Sequence, residues 1–120
     1  MKVVVTAQGG AVTDKIDPRF GRARYFILWG ESTDKAEAHD NAQNLNAAQG
    51  AGIQAAHAVE RLGAGAVISG NVGPKAFRAL AAAGIKVYLC SEGTVSDAIA
   101  KFKAGALKAA GEANVHGHWS

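Results

Sequence analysis

The sequence lacks a second cysteine, a long apolar run and a strong excess of either charge. The single thiol, Cys90, cannot form an intramolecular disulfide or a metal site of four thiolates, so we expect a reducing, cytoplasmic environment. No segment approaches the roughly 18 apolar residues that span a bilayer, and the first residues lack the apolar segment of a secretion signal. These absences predict a soluble intracellular protein that binds no membrane.

Charge and composition narrow the class of ligand. Thirteen basic and ten acidic residues leave a net charge of +3, far from the dense basic stripe of a nucleic-acid binder. We therefore expect no nucleic-acid partner and a mild preference for anionic ligands. Aromatic residues make up only 7% of the chain, so helices rich in alanine are expected to pack closely on a sheet.

The motifs of common enzyme classes are missing or incomplete. The first apolar run, Lys2 to Ala7, offers no carboxylate for the two divalent metals of a ribonuclease H-type nuclease. Ser69-Gly70-Asn71 lacks the G-x-S-x-G shape of a hydrolase nucleophile, and no G-x-x-x-x-G-K-[ST] motif is present. Gly50-x-Gly52-x-x-Ala55 matches the dinucleotide pattern in letters, but a polar stretch precedes it where a strand is required. We expect a protein without catalytic activity.

The apolar pattern predicts the element order βββαβαβα. Three strands come first and form an antiparallel meander, because their connections are short and polar. They are expected at residues 2–7, 25–29 and 35–40. Helices then alternate with short apolar strands. The helices are expected at 51–62, from Pro74 and from Val95 behind a Thr94–Asp97 capping pair, and the strands at 66–69 and 85–89.

This order predicts a three-layer α/β/α domain around one five-stranded mixed sheet. The two β-α-β crossovers in the second half require parallel strands, with helices on the faces of the sheet. We expect residues 1–105 to form the single domain. Residues 106–120 are expected to be a mobile C-terminal tail.

Glycine-rich turns are expected to build a pocket at one end of this sheet. Where the first strand neighbours the fourth, the strand order reverses, and ligands prefer the crevice at the carboxyl ends beside that point. The turns that would line it are Gln8-Gly9-Gly10, Ser69 to Gly73 and Cys90 to Gly93. Backbone amides and helix amino termini there would suit a compact polyanion, with further charge from Arg19, Arg22 and Lys75. The alternative is that these glycines only make tight turns.

Four segments of the chain match motifs that occur together, in the same order, in a known protein family. They are Asp17-Pro18-Arg19-Phe20-Gly21-Arg22-Ala23, Gly50-Ala51-Gly52-Ile53-Gln54-Ala55-Ala56, Gly70-Asn71-Val72-Gly73-Pro74 and Gly84-Ile85-Lys86-Val87-Tyr88. Their order and spacing resemble the dinitrogenase iron–molybdenum cofactor biosynthesis family over nearly the whole chain. The resemblance implies a ribonuclease H-like fold and an accessory protein that carries iron–sulfur clusters or iron–molybdenum cofactor precursors. One relative in this family holds a molybdenum–copper sulfide cluster without covalent attachment.

The resemblance also implies a set of cofactor-binding residues. Carried over to this chain, with the cations named above, the set is Arg19, Arg22, Gly50, Gly52, Gly70, Asn71, Val72, Gly73 and Lys75. The cofactor would be a molybdenum–copper sulfide cluster or an iron–molybdenum–sulfur precursor. Proteins that deliver or receive the cofactor are the implied partners, and the oligomeric state stays open. A protein-ligated iron–sulfur cluster would need cysteines from another subunit.

Four further side chains are candidates for contact with a soft metal. Cys90, at a strand end, is either a small buried hydrophobe or a metal contact. His57 lies either on a solvated helix face or at the border of the pocket. His116 and His118 would point the same way in an extended backbone and could hold one metal, unless the tail is simply solvated.

Two functions remain open from the sequence. The favoured one is a non-catalytic carrier of a molybdenum-containing metal–sulfur cluster, held largely without covalent bonds. The alternative is a partner-binding or regulatory domain with the same fold and no cluster. An exposed apolar patch or a basic stripe would indicate that alternative.

Overall fold

The computed structural model of the protein describes residues 1–41 and 50–111, and its elements follow the order βββαβαβα. The strands are β1 (Lys2–Ala7), β2 (Tyr25–Gly30), β3 (Lys35–Asp40), β4 (Ala66–Ser69) and β5 (Lys86–Leu89). The helices are α1 (Ala51–Arg61), α2 (Pro74–Ala82) and α3 (Val95–Lys103). A 3₁₀ turn at Phe20–Arg22 lies in the connection between β1 and β2. Among the described residues, no helix has the length and apolarity to cross a membrane.

The five strands form one mixed sheet in the order β3-β2-β1-β4-β5. β1 pairs antiparallel with β2, and β2 with β3, which confirms the predicted meander. β1 pairs in parallel with β4, and β4 with β5, so the predicted contact between the first and fourth strands is also confirmed. The three parallel strands therefore end at the same side of the sheet, which we call the carboxyl edge. β2 begins at this edge, because Tyr25 pairs with Ala7.

Helices cover both faces of the sheet, because β1 sends alternate valines to opposite sides. Val4 joins Val59 of α1 and Leu80 of α2 in one buried cluster. Val3 and Val5 join a second cluster under α3, which contributes Val95, Ala98 and Ile99. The result is the expected arrangement of three layers, α/β/α.

The three helices begin in different ways. α3 has the predicted capping box, in which Asp97 N–H donates to Thr94 Oγ1 (3.1 Å) and Thr94 N–H donates to Asp97 Oδ2 (3.0 Å). α2 begins at Pro74, which has no N–H to leave unpaired. α1 follows Gly50, whose φ of 76° is in the left-handed region that favours glycine.

The segment after α3 runs beside β5. Ala109 forms an isolated bridge with Tyr88, and Ala110 N–H donates to Val87 O (2.7 Å). Residues 112–120, with His116 and His118, lie outside the described residues. The mobile tail therefore stays a prediction for those residues, whereas Ala109 and Ala110 are in contact with β5.

Candidate functional site

The loop between β1 and β2 crosses the carboxyl edge of the sheet. Asp17 N–H donates to Thr6 O (2.9 Å), and Gln8 N–H donates to Lys15 O (2.9 Å). The loop thus adds backbone hydrogen bonds to the end of β1. The crevice predicted beside β1 is partly filled by the protein's own chain, and the Gln8 amide already donates to a carbonyl.

The same loop is attached to the segment that follows β5. Ile16 N–H donates to Gly93 O (3.1 Å), and Val95 N–H donates to Asp14 O (2.9 Å). Lys15 and Thr94 form an isolated bridge between these contacts. These contacts place the loop across the expected pocket wall from Cys90 to Gly93.

Further along, the loop packs on the turn after β4. Asn71 N–H donates to Pro18 O (2.6 Å), and Phe20 N–H donates to Asn71 O (3.2 Å). A Cβ atom added to Gly70 would be 2.8 Å from Pro18 Cβ and 2.9 Å from Ser91 Cβ. Only glycine allows so close an approach, so Gly70 serves the contact between two segments.

The 3₁₀ turn then packs on the start of α1. A Cβ atom added to Gly21 would be 2.9 Å from the amide nitrogen of Gly52. Three of the four segments singled out in the sequence therefore meet at the carboxyl edge. They are residues 17–23, the start of α1 at 50–52 and the turn at 70–73.

A buried polar cluster anchors this junction. Thr6, Asp17 and Ser69 are all buried, at 0%, 3% and 0% relative exposure. Thr6 Oγ1 donates to the carbonyl oxygen of Asp17 (2.6 Å), which can only accept. The 2.8 Å contact between the Thr6 and Ser69 hydroxyls must therefore use the proton of Ser69. The cluster ties the loop to both β1 and β4.

The Asp17 carboxylate in turn holds Arg19. Asp17 Oδ1 accepts hydrogen bonds from the Arg19 N–H (3.0 Å) and from Arg19 Nε (3.4 Å). The Asp17 side chain is 5% exposed, whereas 54% of the Arg19 side chain is exposed. A buried carboxylate thus positions a guanidinium group that faces solvent.

An open cleft of about 600 Å³ lies beside this pair. The residues that line it are Gln8, Asp17, Pro18, Arg19, Arg22 and Arg24. Arg19 and Arg22 are in the predicted set, and the structure brings them to the same cleft. Three guanidinium groups against one carboxylate leave the lining with a net positive charge, which suits an anion.

Arg24 is a residue of the cleft that the sequence reasoning missed, whereas Gln8 belongs to a turn that was expected to line the pocket. Arg24 has its guanidinium carbon 5.7 Å from the ring centroid of Tyr25, a cation–π contact. The sequence did carry one signal for Arg24, the alternation of charged and apolar residues before β2. Arg22 and Arg24 flank Ala23, which is fully buried. Side chains two apart on an extended backbone point to the same side.

The other predicted binding residues have more varied positions. Lys75 is exposed in the first turn of α2 and is not among the residues lining the cleft. Val72 is 1% exposed and packs in the core cluster under α1 and α2. Gly73 precedes α2 with an extended backbone and is buried. Val72 and Gly73 therefore form the buried part of the turn at 70–73, while the Lys75 side chain next to it is exposed.

Of the candidate metal contacts, the two that the structure describes, Cys90 and His57, are not brought together. Cys90 is a free, buried cysteine in the cluster under α3, and its Sγ lies 3.5 Å from Glu92 O. His57 is exposed on α1, which packs on the opposite face, with Nδ1 3.9 Å from Glu60 Oε1. Within residues 1–41 and 50–111, no three or more His, Cys, Asp or Glu side chains form a group that could hold a metal ion.

Known proteins share both this sequence pattern and this fold. The sequence profile of the family described as dinitrogenase iron-molybdenum cofactor matches residues 1–105. The apo form of the orange protein from Desulfovibrio gigas is 43% identical, with a TM-score of 0.93 over 95% of this chain and 96% of that one. A Thermotoga protein of the DUF35 family, solved by NMR, is 33% identical, with a TM-score of 0.79 over 90% and 91% of the two chains.

A sequence relative comes from an archaeon. An uncharacterised protein of Methanocaldococcus jannaschii is 29% identical over 99 residues, which are 79% of this chain and 82% of the relative. The likeness to these proteins therefore spans most of the chain.

Proposed function

Since the chain belongs to the dinitrogenase iron-molybdenum cofactor family, we propose that it is a non-catalytic carrier of a molybdenum-containing metal–sulfur cluster. The observation that carries the proposal is the arginine-lined cleft at the carboxyl edge, where the segments shared with the family meet. Similarity to the apo form of a protein of nearly equal length supports a carrier. The strand order, with β1 between β2 and β4, supports the ribonuclease H-like class that we expect.

The chemistry of the cleft fits an anionic sulfide cluster. Sulfides on such a cluster accept hydrogen bonds, and guanidinium groups offer several donors in one plane. The arginine stems add apolar contact with the cluster. The first N–H groups of α2, near Lys75, have no acceptor within their helix. They follow the turn at 70–73 and lie outside the residues that line the cleft. We therefore assign retention to Arg19, Arg22 and Lys75, with the glycine turns at 50–52 and 70–73 shaping the cleft.

The positions of Cys90 and His57 support retention without covalent bonds. The thiol is buried on the face under α3, and the imidazole is exposed on the other side of the sheet. Binding without covalent bonds suits both a molybdenum–copper sulfide cluster and an iron–molybdenum–sulfur precursor. His116 and His118 lie outside the described residues, and a chain ending at residue 111 tests whether they hold a metal.

The proposed setting is the cytoplasm, with proteins that deliver or receive the cluster as partners. Binding of a partner without a cluster would call for a contiguous apolar surface. Within the described part of the chain, the exposed large apolar residues are Met1, Val12 and Ile53, which lie on separate elements. This scatter supports the carrier over the partner-binding alternative.

The test is a titration of the apo protein with tetrathiomolybdate, with and without copper. Visible spectra and metal analysis after desalting report what the protein retains. We expect retained colour at a fixed ratio of metal to protein. Release of all metal from protein that is still folded would contradict the proposal that the protein carries a molybdenum–copper sulfide cluster. The same assay with an iron–molybdenum–sulfur precursor then tests whether the protein carries that cofactor instead.

The Arg19→Ala/Arg22→Ala double variant shows whether the cleft is the binding site. The matched control is Lys2→Ala/Lys86→Ala, which removes the same charge from the exposed starts of β1 and β5 at the opposite edge. We expect the arginine variant to retain less tetrathiomolybdate than the unchanged protein, and the lysine control to retain as much. Equal retention in both variants at physiological salt would remove the two arginines from the site.

A further inference from the structure

We infer that Asp17 is a positioning residue of the cleft. It holds Arg19 through Nε, so that the two terminal nitrogens of the guanidinium group are presented to an anion with two neighbouring acceptor atoms. The inference rests on the proposed function, since it describes how the same cleft holds its ligand. Removal of the negative charge of Asp17 should therefore weaken anion binding, although charge alone would make binding tighter.

Asp17 is fixed at the end of β1 by its backbone. Its N–H donates to Thr6 O (2.9 Å), and its carbonyl oxygen accepts a hydrogen bond from Thr6 Oγ1 (2.6 Å). The residue is only 3% exposed. Because packed interiors leave little room for movement, the Asp17 carboxylate is a fixed acceptor to which a more exposed side chain can be attached.

The backbone of Arg19 is held between the loop and the turn after β4. Its own N–H donates to Asp17 Oδ1 (3.0 Å). On either side of it, Pro18 O accepts a hydrogen bond from Asn71 N–H (2.6 Å), and Phe20 N–H donates to Asn71 O (3.2 Å). The Arg19 side chain therefore starts from a point that is fixed before any ligand binds.

The guanidinium group of Arg19 uses one of its donors inside the protein. Arg19 Nε lies 3.4 Å from Asp17 Oδ1, and this is the one hydrogen bond that the side chain makes among the described residues. A guanidinium group has one N–H donor on Nε and two on each terminal nitrogen. The donors of the terminal nitrogens therefore remain for a ligand, and 54% of the side chain is exposed at the cleft.

This arrangement determines which side of the guanidinium group meets the ligand. The two terminal nitrogens donate in parallel, a geometry that matches two acceptor atoms of one anion. Since the Asp17 carboxylate occupies Nε, the ligand approaches the end of Arg19. Tetrahedral oxo- and thio-anions offer such pairs of acceptors. A lysine has a single nitrogen and cannot donate two parallel bonds to an anion.

Two effects of Asp17 on anion binding have opposite signs. Its charge repels an anion, but the cleft is open to solvent, so water and salt screen this repulsion. Its hydrogen bond orders the Arg19 head group, and a side chain that is already ordered loses less conformational entropy on binding. Salt does not screen the ordering effect. We therefore expect positioning to outweigh repulsion at physiological ionic strength.

Equilibrium dialysis of the apo protein with tetrathiomolybdate at physiological ionic strength tests the inference. The test variant is Asp17→Asn, because the amide oxygen can still accept the Arg19 N–H while the charge is gone. We expect binding to be about three- to tenfold weaker, the effect of one side chain that must be ordered on binding. The matched control is Glu92→Gln, which removes one negative charge from an exposed loop at the same edge and should bind no more weakly than the unchanged protein. Binding by Asp17→Asn as tight as that of the unchanged protein, or tighter, would overturn the inference.

The Arg19→Ala background separates positioning from a general structural role. There Asp17 has no guanidinium group to hold, so the addition of Asp17→Asn should leave tetrathiomolybdate binding unchanged or make it tighter. A carboxylate that only supported the fold would strengthen binding in both backgrounds, so its removal would weaken binding in both. That result would overturn the inference. Thermal unfolding of each variant checks that it is folded.

Arg19→Lys tests the contact through the terminal nitrogens. The variant keeps the charge, but we expect it to bind tetrathiomolybdate about tenfold more weakly, the effect of losing roughly one charge-assisted hydrogen bond. Arg78→Lys, at an exposed position of α2, is the matched control and should bind like the unchanged protein. Equal binding by Arg19→Lys and the unchanged protein would show that charge alone holds the anion.

A second anion separates this inference from the proposed function. If the unchanged protein and Asp17→Asn retain tetrathiomolybdate equally well, the inference fails and the carrier function stands. If the unchanged protein releases tetrathiomolybdate on desalting but binds molybdate at equilibrium, and Asp17→Asn binds molybdate more weakly, positioning holds and the molybdenum–copper carrier function fails. Binding of neither anion overturns both.

Discussion

Gly21 and Gly52 lie in direct backbone contact, so that a Cβ atom at position 21 would be 2.9 Å from the Gly52 nitrogen and 3.0 Å from its Cα. This contact joins the loop that carries Arg19 and Arg22 to the start of α1. The obstacle is backbone, which cannot rotate away as a flexible side chain would. The position of the arginines therefore depends on the close approach of Gly21 to Gly52.

The Gly21→Ala variant tests this dependence. We expect a loss of about 1–3 kcal/mol in the free energy of unfolding, because an overpacked methyl group must displace the start of α1. Urea unfolding measures the loss. Gly10→Ala is the matched control, since its Cβ would be at an ordinary 3.6 Å from Ala38 Cβ. Equal stability of the two variants would show that the turn and α1 separate easily.

Thr6→Val tests the buried hydroxyl that ties the loop to the sheet. The variant keeps the shape of the side chain but leaves Asp17 O and Ser69 Oγ without this partner. We expect a loss of about 1–3 kcal/mol in the free energy of unfolding, the cost of leaving a buried polar group unpaired. Thr13→Val, in an exposed part of the same loop, should change little.

A second substitution distinguishes the hydrogen bond from packing. Adding Ser69→Ala to Thr6→Val removes the stranded hydroxyl, so the double variant should lose less than the sum of the single losses. Strict additivity in urea unfolding would argue against coupling between Thr6 and Ser69.

The capping box of α3 predicts a dependence of stability on pH. Hydrogen bonds from the Thr94 backbone N–H and then the Thr94 side chain hold the pKa of Asp97 below its ordinary value of 3.8. A carboxyl whose pKa is lower in the folded state stabilises the fold above its unfolded pKa, and this contribution is lost as the pH falls through the folded pKa. The contribution should therefore be full at neutral pH and disappear in the acid range below 3.8.

Asp97→Asn measures this contribution. We expect the unchanged protein to be more stable than the variant at pH 7 and the difference to shrink as the pH falls below 3.8. Thermal unfolding across the pH range follows the difference, with Glu92→Gln as the control carboxylate in the preceding loop. A difference that stays constant with pH would mean that the carboxylate charge is not what stabilises the cap.

The parts of this structure that follow local rules could be predicted from the sequence. Thr94 and Asp97 have the spacing of a capping box, and the alternation in β1 follows from the valines of its sequence. The docking of residues 14–18 across the carboxyl edge could not be predicted, because its hydrogen bonds join backbone groups such as Ile16 and Gly93 that no side-chain pattern marks. For the same reason, the crevice at the carboxyl edge was predicted to be open, whereas residues 14–18 partly fill it.

The candidate site also contains residues that the sequence marks and residues that it does not. Arg19 and Arg22 were identified because glycine and proline mark their loop, whereas Arg24 sits before a strand with no such mark. Its position depends on contacts with Tyr25 and Asn41, of which the second joins residues 17 positions apart in the chain. Tertiary contacts of this range carry no signal in a single sequence.

Cys90→Ala decides whether the thiol holds the metal. Cys90 is 8% exposed, and its Sγ lies 3.5 Å from Glu92 O in the cluster under α3. We expect the variant to retain tetrathiomolybdate with copper as well as the unchanged protein does, because the proposed binding site is the arginine-lined cleft. Cys90→Ser keeps a small polar group at the position and should behave in the same way.

Reactivity of the thiol gives an independent measurement. A buried thiol should react with iodoacetamide slowly in the native protein and rapidly in urea, and a bound cluster should leave the native rate unchanged. If Cys90→Ala released the cluster while its thermal unfolding stayed near that of the unchanged protein, Cys90 would be a metal ligand. The loop from Glu92 to Gly93 would then have to open to expose the thiol, and native alkylation would become slower when the cluster binds.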